Sequence, residues 1–282
     1  MSVKMIQDRL DGYGCQSTLE QEQALREITQ EIVLAALGRT DFFQKAGFQG
    51  GTCLRIFHGM NRFSEDLDFA LQKQDRSFTL KPYLDGLARE LRAYGYGLEL
   101  DDRSQGDQAV RMAFVKDDSL GNLLRLHYKP ATGPLRKLRI KLEADTNPPA
   151  GATFETKYLD FPFPSAVCVF DLPSLFAGKL HAVLCREYLK GRDWFDFLWY
   201  TARKTPVNYV LLSSALDQMG LWQGQRMRVD RTWCIQQLRA KIEASNWKQA
   251  RDDVRRFVKP NELPSLDLWG QELFLGQTDK LV

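Results

Sequence analysis

The stretch from Gly50 to Phe69 constrains the fold of this chain more than any other part of the sequence. It opens with Gly50 and Gly51, which lack a Cβ atom and so let the backbone turn tightly and bring its amides close to a ligand. The residues from Thr52 to Phe57 then predict a short helix, whose N-terminus carries a partial positive charge that suits an anion. The sequence therefore predicts an anion-binding turn at the start of this helix.

Acidic and apolar residues alternate soon after that helix, at the period of a β-strand. Asp66 and Asp68 fall on one face of the predicted strand, and Leu67 and Phe69 fall on the other. Neighbouring carboxylates repel each other unless a cation lies between them, and Mg²⁺ suits hard oxygen ligands while keeping positions for water and substrate phosphate. The pattern predicts a magnesium site, but two solvated acids on an exposed edge strand have the same spacing.

Together, Gly-Gly-Thr at residues 50–52, the short helix and Arg-Phe-Ser-Glu-Asp-Leu-Asp-Phe at residues 62–69 resemble the N-terminal signature of the AbiEii/AbiGii toxin family. This family lies within the DNA polymerase β-like nucleotidyltransferase superfamily. The resemblance implies that Asp66 and Asp68 bind two Mg²⁺ ions, for which Mn²⁺ can substitute. It also implies that the phosphates of an NTP are held by residues of the turn and of the segment before the strand: Gly50, Gly51, Thr52 and Ser64.

A further strand is predicted between Lys137 and Asp145, where polar and apolar residues alternate strictly. If this strand lies beside the one that carries Asp66, Glu143 becomes a third metal-binding carboxylate and can take the proton of an acceptor hydroxyl. The residues alone equally allow a surface glutamate paired with Lys141. The resemblance favours Glu143 as the catalytic third acid, and Asp145, which shares its face, is the second choice.

Two later segments carry charged residues at helical spacing: Ala-Gly-Lys-Leu-His-Ala at 177–182 and Lys-Gly-Arg-Asp-Trp-Phe-Asp at 190–196. Asp193 and Asp196 share a helical face, so the residues alone fit a salt-bridged cap between two helices. Both segments are similar to the second conserved pair of motifs in the toxin family. The resemblance implies that Lys179 and Arg192 neutralise charge on the leaving pyrophosphate, while Asp193 and Asp196 orient these cations or hold the nucleotide.

The order of the predicted elements indicates an α+β protein. Apolar residues at helical spacing predict helices from Leu25 to Gly38 and from Leu80 to Tyr94. Three β-like runs follow the second helix: Tyr96–Leu100, Ala109–Val115 and Leu123–Tyr128. Prolines between Asn147 and Asp171 predict a domain boundary or a long crossing loop.

Beyond the prolines the sequence turns helical. Asp171 is a predicted N-cap, and further helices are predicted at residues 208–219, 230–244 and 246–258. We therefore predict a polymerase β-like nucleotidyltransferase mixed sheet with flanking helices over residues 1–165. Residues 166–282 are predicted to form a helical C-terminal domain that completes the nucleotide site.

Composition excludes several other classes of protein. A chain of 282 residues, 44% of them hydrophobic, can bury one large core or two modest ones. Its five cysteines have no C-x-x-C spacing, which argues against a disulfide framework or a zinc site and favours a reducing cytoplasm. The sequence has neither a signal-peptide pattern nor an apolar run of membrane-spanning length. We expect a soluble cytoplasmic protein with no membrane partner.

The resemblance implies an enzyme that transfers NMP from an NTP to an acceptor hydroxyl, the 3′ end of tRNA. It also implies the toxin of a type IV-like toxin–antitoxin or phage-defence system, with a separately encoded antitoxin. A net charge of +3 does not by itself indicate RNA binding. Ten basic residues stand against four acids at 222–260, and six against none at 121–142, so these stretches fit either solvated faces or an RNA-binding surface. The alternatives are a small-molecule nucleotidyltransferase of the antibiotic-modifying sort and a non-catalytic nucleotide-binding protein that recognises a partner.

Overall fold

A computed structural model of the chain describes residues 2–97, 99–104, 109–117, 124, 126 and 138–282. It has the α+β architecture that the sequence predicts, with two compact units. The first unit comprises Met1–His58, Phe63–Pro148 and Thr156–Val169. The second unit comprises Gly59–Arg62, Pro149–Glu155 and Phe170–Val282.

The strands of the described residues form one mixed sheet in the order β3-β4-β5-β2-β1-β7-β6. Their bounds are β1 Ala46–Gln49, β2 Leu67–Leu71, β3 Glu99–Asp102, β4 Val110–Asp117, β5 Leu138–Asp145, β6 Phe154–Leu159 and β7 Ser165–Phe170. Strand β2 pairs in parallel with β5 and antiparallel with β1. Because β2 is an inner strand of the sheet, the alternative that Asp68 lies on an exposed edge strand is wrong.

Alternating side chains of β2 explain its place in the sheet. Leu67 and Phe69 are buried, whereas Asp68 between them is partly exposed on the opposite face. The ring of Phe69 packs edge-to-face against Phe42 and at a tilt against Phe48, with centroids 4.9 and 5.2 Å away. The apolar face of β2 therefore anchors the strand in the core of the first unit, and Asp68 lies on the opposite face.

Helices of the first unit surround this core. They are α1 Ser2–Asp11, α2 Thr18–Gly38, α3 Phe42–Lys45, α4 Gly50–His58 and α5 Lys81–Ala93. Helix α2 begins after Ser17, whose hydroxyl accepts a hydrogen bond from the backbone N–H of Glu20. It packs against α1, α5 and β5, and buries polar residues as well as apolar ones.

The second unit is mainly helical. Its elements are α6 Leu172–Cys185, α7 Gly191–Ala202, α8 Tyr209–Gln218, α9 Arg231–Glu243, α10 Trp247–Val254 and α11 Gln271–Thr278, with 3₁₀ turns at Arg255–Phe257 and Pro260–Leu268. Asp171 caps α6 as predicted, because its carboxylate accepts the N–H of Ser174. The core of this unit is aromatic, with Phe274 stacked on Trp247 and edge-to-face with Trp194.

Two parts of the sequence-based description differ from the structure. The stretch between Asn147 and Asp171 is not a long loop, because β6 and β7 lie within it, but the chain does pass between the two units there, at 148/149, 155/156 and 169/170. The two units also interleave along the chain, whereas the sequence predicted one boundary at residue 165/166. The predicted strand Leu123–Tyr128 lies almost entirely outside the described residues.

Within the described parts of the chain, no helix combines the length and the apolar character needed to cross a lipid bilayer.

Candidate active site

Asp68 and Glu143 lie next to each other on neighbouring strands of the first unit. The parallel register of β2 and β5 pairs Asp68 with Glu143, and both side chains are partly exposed on the same sheet face. Asp145 is instead opposite Ala70, and burial raises the pKa of its carboxyl group. The register therefore favours Glu143 over Asp145 as the acid beside Asp68.

The glycine turn closes onto the carboxylate of Asp68. Gly50 has a φ of +80°, in the left-handed region that suits glycine, and a Cβ atom at this position would overlap Asp68 Oδ2. Gln49, the residue before it, is the antiparallel partner of Asp68. The turn and the acidic strand thus meet at one point, and only a residue without a side chain fits there.

We expect Gly50→Ala to reduce nucleotide transfer far more than it reduces stability. The added Cβ forces the Asp68 carboxylate to move, and the strained φ destabilises the fold by about 1–3 kcal/mol. Gly59→Ala is the matched control, because Gly59 has a φ of +70° and no atom within 4 Å of an added Cβ. Transfer rates and thermal unfolding of both variants test this expectation. If Gly50→Ala and Gly59→Ala lost activity equally, the effect of Gly50→Ala would come from backbone strain and not from contact with Asp68.

Two buried side chains hold the segment that leads into β2. Gln30 of α2, 1% exposed, donates from Nε2 to the carbonyl oxygens of Ser64 at 3.3 Å and Glu65 at 2.9 Å. The hydroxyl of Thr52 donates to the carbonyl oxygen of Asp66, the next residue. Three consecutive carbonyl groups are therefore fixed from α2 and α4.

These contacts modify two predictions about phosphate binding. Thr52 is fully buried and its hydroxyl is committed to Asp66, so only its backbone could offer a donor to a ligand. Ser64 is partly exposed, and its carbonyl group accepts from Gln30. Gln30 was not found from the sequence. The sequence could have indicated Gln30, because it is a polar residue on the apolar face of α2. A buried amide at such a position needs hydrogen-bond partners.

The donor set of the first unit fits a hard divalent cation. No group of three or more His, Cys, Asp or Glu side chains within the described residues is arranged to hold a metal ion. Mg²⁺ does not require such a group, since it is usually bound by one or two carboxylates together with waters and substrate phosphates. Asp68 and Glu143 supply two carboxylates on one face, and Asp68 Oδ2 lies directly against the Gly50 turn. Asp66 lies one residue before β2 and is partly exposed.

The second unit contains a buried ionic cluster built on α6 and α7. Lys179 Nζ lies 2.7 Å from Asp193 Oδ1 and 2.8 Å from Asp196 Oδ2. Arg62 forms a bidentate pair with Asp196, with both nitrogen–oxygen distances at 2.6 Å. Arg186 pairs with the other oxygen of Asp193. Arg62 and Asp196 are almost completely inaccessible to solvent, at 2% and 0% exposure of their side chains.

Electrostatics in this cluster favour the charged forms. Burial opposes ionisation, but the charges of Asp193 and Asp196 raise the pKa of Lys179 above its ordinary value. Burial likewise opposes ionisation of Asp193, and Lys179 and Arg186 nevertheless lower its pKa. The pKa of Lys190 is lowered by burial and by the nearby charges of Arg192 and Arg186. Cations exceed carboxylates here, so the cluster is suited to an anion.

The predicted partners in this cluster are only partly those observed. Asp193 and Asp196 both orient Lys179, as expected, but their other cations are Arg186 and Arg62. Arg192 instead places its guanidinium over the ring of Phe257, with 4.2 Å to the centroid. Arg62 was overlooked because a residue of the turn before β2 reaches α7 only through tertiary folding.

The basic stretch at residues 222–260 has structural contacts within the second unit. Arg231 donates to the carbonyl oxygens of Leu281 and Asp279, Arg239 pairs with the Asp279 carboxylate, and Lys241 donates to the carbonyl oxygen of Arg186. Because these basic side chains already have partners within the protein, the stretch is weaker evidence for RNA binding than its sequence suggests. The basic stretch at 121–142 lies mostly outside the described residues.

Two solved structures have a similar fold over most of the chain. MenT4, a nucleotidyltransferase toxin from Mycobacterium tuberculosis, is similar with a TM-score of 0.53 and 16% sequence identity, covering 100% of this chain and 91% of MenT4. JHP933 from Helicobacter pylori is similar with a TM-score of 0.50 and 15% identity, covering 91% of this chain and 88% of JHP933. At these identities the likeness establishes the fold alone.

The family model for the nucleotidyl transferase AbiEii toxin, of type IV toxin–antitoxin systems, matches residues 32–272. The chain belongs to this family and is a nucleotidyltransferase toxin of that type. Membership implies a cognate antitoxin as partner. The resemblance read from the motifs at residues 50–69 and 177–196 is therefore confirmed. A search of curated protein sequences gave no match.

Proposed function

We propose that this toxin transfers NMP from an NTP to the 3′ hydroxyl of an RNA acceptor, with tRNA as the substrate, and that it acts in the cytoplasm. The observation that carries this proposal is the register of Asp68 with Glu143 beside the Gly50 turn. Two acids and an amide-rich turn on one sheet face suit a polyphosphate with its divalent cation.

Bound Mg²⁺ would supply charge stabilisation for the triphosphate and lower the pKa of the acceptor hydroxyl. The proposed ligands are Asp68 and Glu143, which are paired in the sheet, and Asp66, which has to move toward them because the described residues hold no such group of three. Glu143 accepts the proton of the acceptor hydroxyl, whose oxygen attacks the α-phosphorus, and the α–β phosphoanhydride bond breaks to release pyrophosphate. The backbone amides of Gly50 and Gly51 hold phosphate oxygens. The products are an NMP-extended acceptor and pyrophosphate.

For the second unit, we propose that the ionic cluster supplies positive charge for nucleotide phosphates. Lys179 is held by two carboxylates, Asp193 and Asp196, which fix its ammonium group in one position. Arg192 lies over the ring of Phe257, with 4.2 Å from the guanidinium to the centroid, and is a further cation of this unit.

The test is a transfer assay with the purified full chain, Mg²⁺ and each labelled NTP in turn. Total tRNA is offered as acceptor, and the matched control is the same tRNA with its terminal ribose oxidised by periodate. We expect label in intact tRNA and none in the oxidised sample. Labelling of aminoglycosides or other small hydroxylated compounds without RNA would favour the small-molecule alternative. Absence of any transfer or NTP binding would favour the non-catalytic one.

A further inference from the structure

A lysine ion-pairs with the acid that we assign as the third metal ligand. Lys141 Nζ lies 2.7 Å from Glu143 Oε1, and both side chains are partly buried, at 29% and 27% exposure. The two residues are separated by one position on β5, so they share a sheet face. The Lys141–Glu143 ion pair that the sequence allowed as an alternative is therefore present, and Glu143 is also the residue paired with Asp68.

The negative charges of Asp68 and Glu143 on one sheet face explain how the Lys141–Glu143 ion pair stabilises the protein. Neighbouring strands of a sheet lie about 4.8 Å apart, so carboxylates on directly paired residues of one face repel each other. Asp68 and Glu143 are such a pair. The ammonium group of Lys141 offsets the charge of Glu143 in the protein without metal. A divalent cation that binds Glu143 has to compete with this ammonium group for the same carboxylate.

We propose that Lys141 is a resident counter-cation of Glu143, which a divalent metal ion displaces, and that Lys141 thereby sets how much free metal the toxin needs. The inference rests on the proposed metal site and deepens it. Lys141 stabilises the metal-free state and weakens metal binding by the strength of its pair with Glu143. It is a positioning residue, because it acts on the carboxylate and not on the reacting atoms.

The experiment measures Mn²⁺ binding to the full chain by electron paramagnetic resonance, with Mn²⁺ as the only added ligand. We expect Lys141→Met to bind Mn²⁺ about fivefold more tightly than the parent protein, since a partly exposed ion pair of this kind has a strength of that order. Arg139→Met is the matched control. Arg139 lies on the same strand and face, but its guanidinium stacks over the ring of Phe114, with 3.9 Å to the centroid. Its removal should leave Mn²⁺ binding unchanged.

A second measurement protects the test against misfolding. In the presence of EDTA the Lys141→Met variant should unfold at a lower temperature than the parent protein, and saturating Mn²⁺ should raise its unfolding temperature more than that of the parent. The gain in Mn²⁺ affinity should vanish when Glu143→Gln is combined with Lys141→Met.

The outcomes separate this inference from the proposed function. If Mn²⁺ binds the parent protein and Asp68→Asn abolishes that binding, the metal site stands; an unchanged affinity in Lys141→Met then overturns only the role of Lys141. If no variant binds Mn²⁺, with or without NTP, the metal site and the counter-cation are both wrong. Equal gains in Lys141→Met and Arg139→Met would also overturn the inference, because they would reflect general surface charge.

Discussion

Asp68→Asn should reduce nucleotide transfer by about a thousandfold, because the amide cannot replace a carboxylate that holds a divalent cation against polyphosphate. The side chain keeps its size beside Gly50, so the free energy of unfolding should change by no more than about 1 kcal/mol. Initial rates of labelled NMP incorporation, with circular dichroism to confirm folding, measure both effects.

Asp145→Asn is the comparison variant for Asp68→Asn. Asp145 lies on the same face of the sheet but opposite Ala70, so its replacement should cause a much smaller loss of transfer. A folded Asp68→Asn protein with the parent rate would remove the catalytic role of this face. A loss in Asp145→Asn as large as in Asp68→Asn would identify Asp145 as the third acid in place of Glu143.

Asp196→Ala should lower the free energy of unfolding by about 3–5 kcal/mol, because it leaves two buried cations without their shared partner. Arg62 loses a bidentate pair and Lys179 loses one of its two carboxylates. Breaking a buried pair from one side is expensive, whereas an exposed pair contributes little. Urea unfolding followed by tryptophan fluorescence reports on this unit, which carries Trp194 in its core.

The matched control for Asp196→Ala is Asp279→Ala, in the same unit. Asp279 pairs with Arg239 at 2.8 Å, but the two side chains are 62% and 46% exposed. Its replacement should change stability by less than about 1 kcal/mol. Comparable effects of the two substitutions would mean that burial of the Asp196 cluster does not determine its contribution.

Local pattern was sufficient for much of the first unit. Period-two alternation located the strand that carries Asp68 and the strand that carries Glu143, and the structure places them at Leu67–Leu71 and Leu138–Asp145. Helical spacing located α5 between Leu80 and Tyr94, where the structure has Lys81–Ala93. These elements were predictable because each buries one face, so the period of the pattern reports the local conformation.

Pairing between distant segments was not predictable from local pattern. Only the family resemblance placed β5 beside β2. Parallel strands are joined by long crossover connections, so no short turn in the sequence marks them as neighbours. The pairing of Arg62 with Asp196 was missed for the same reason. The strands β6 and β7 were hidden by the prolines of their connections, which suggested a loop instead.

The parallel pairing of β2 with β5 also has a consequence for the timing of toxicity. Asp68 emerges from the ribosome before Glu143, and the two residues can pair only after the chain between them has been synthesised. Contacts between residues so far apart in the sequence form slowly, because a long stretch of chain has to be ordered first. A nascent chain that has not reached β5 therefore has no assembled pair of acids. Under the proposed mechanism, toxicity therefore begins only after most of the first unit has been synthesised.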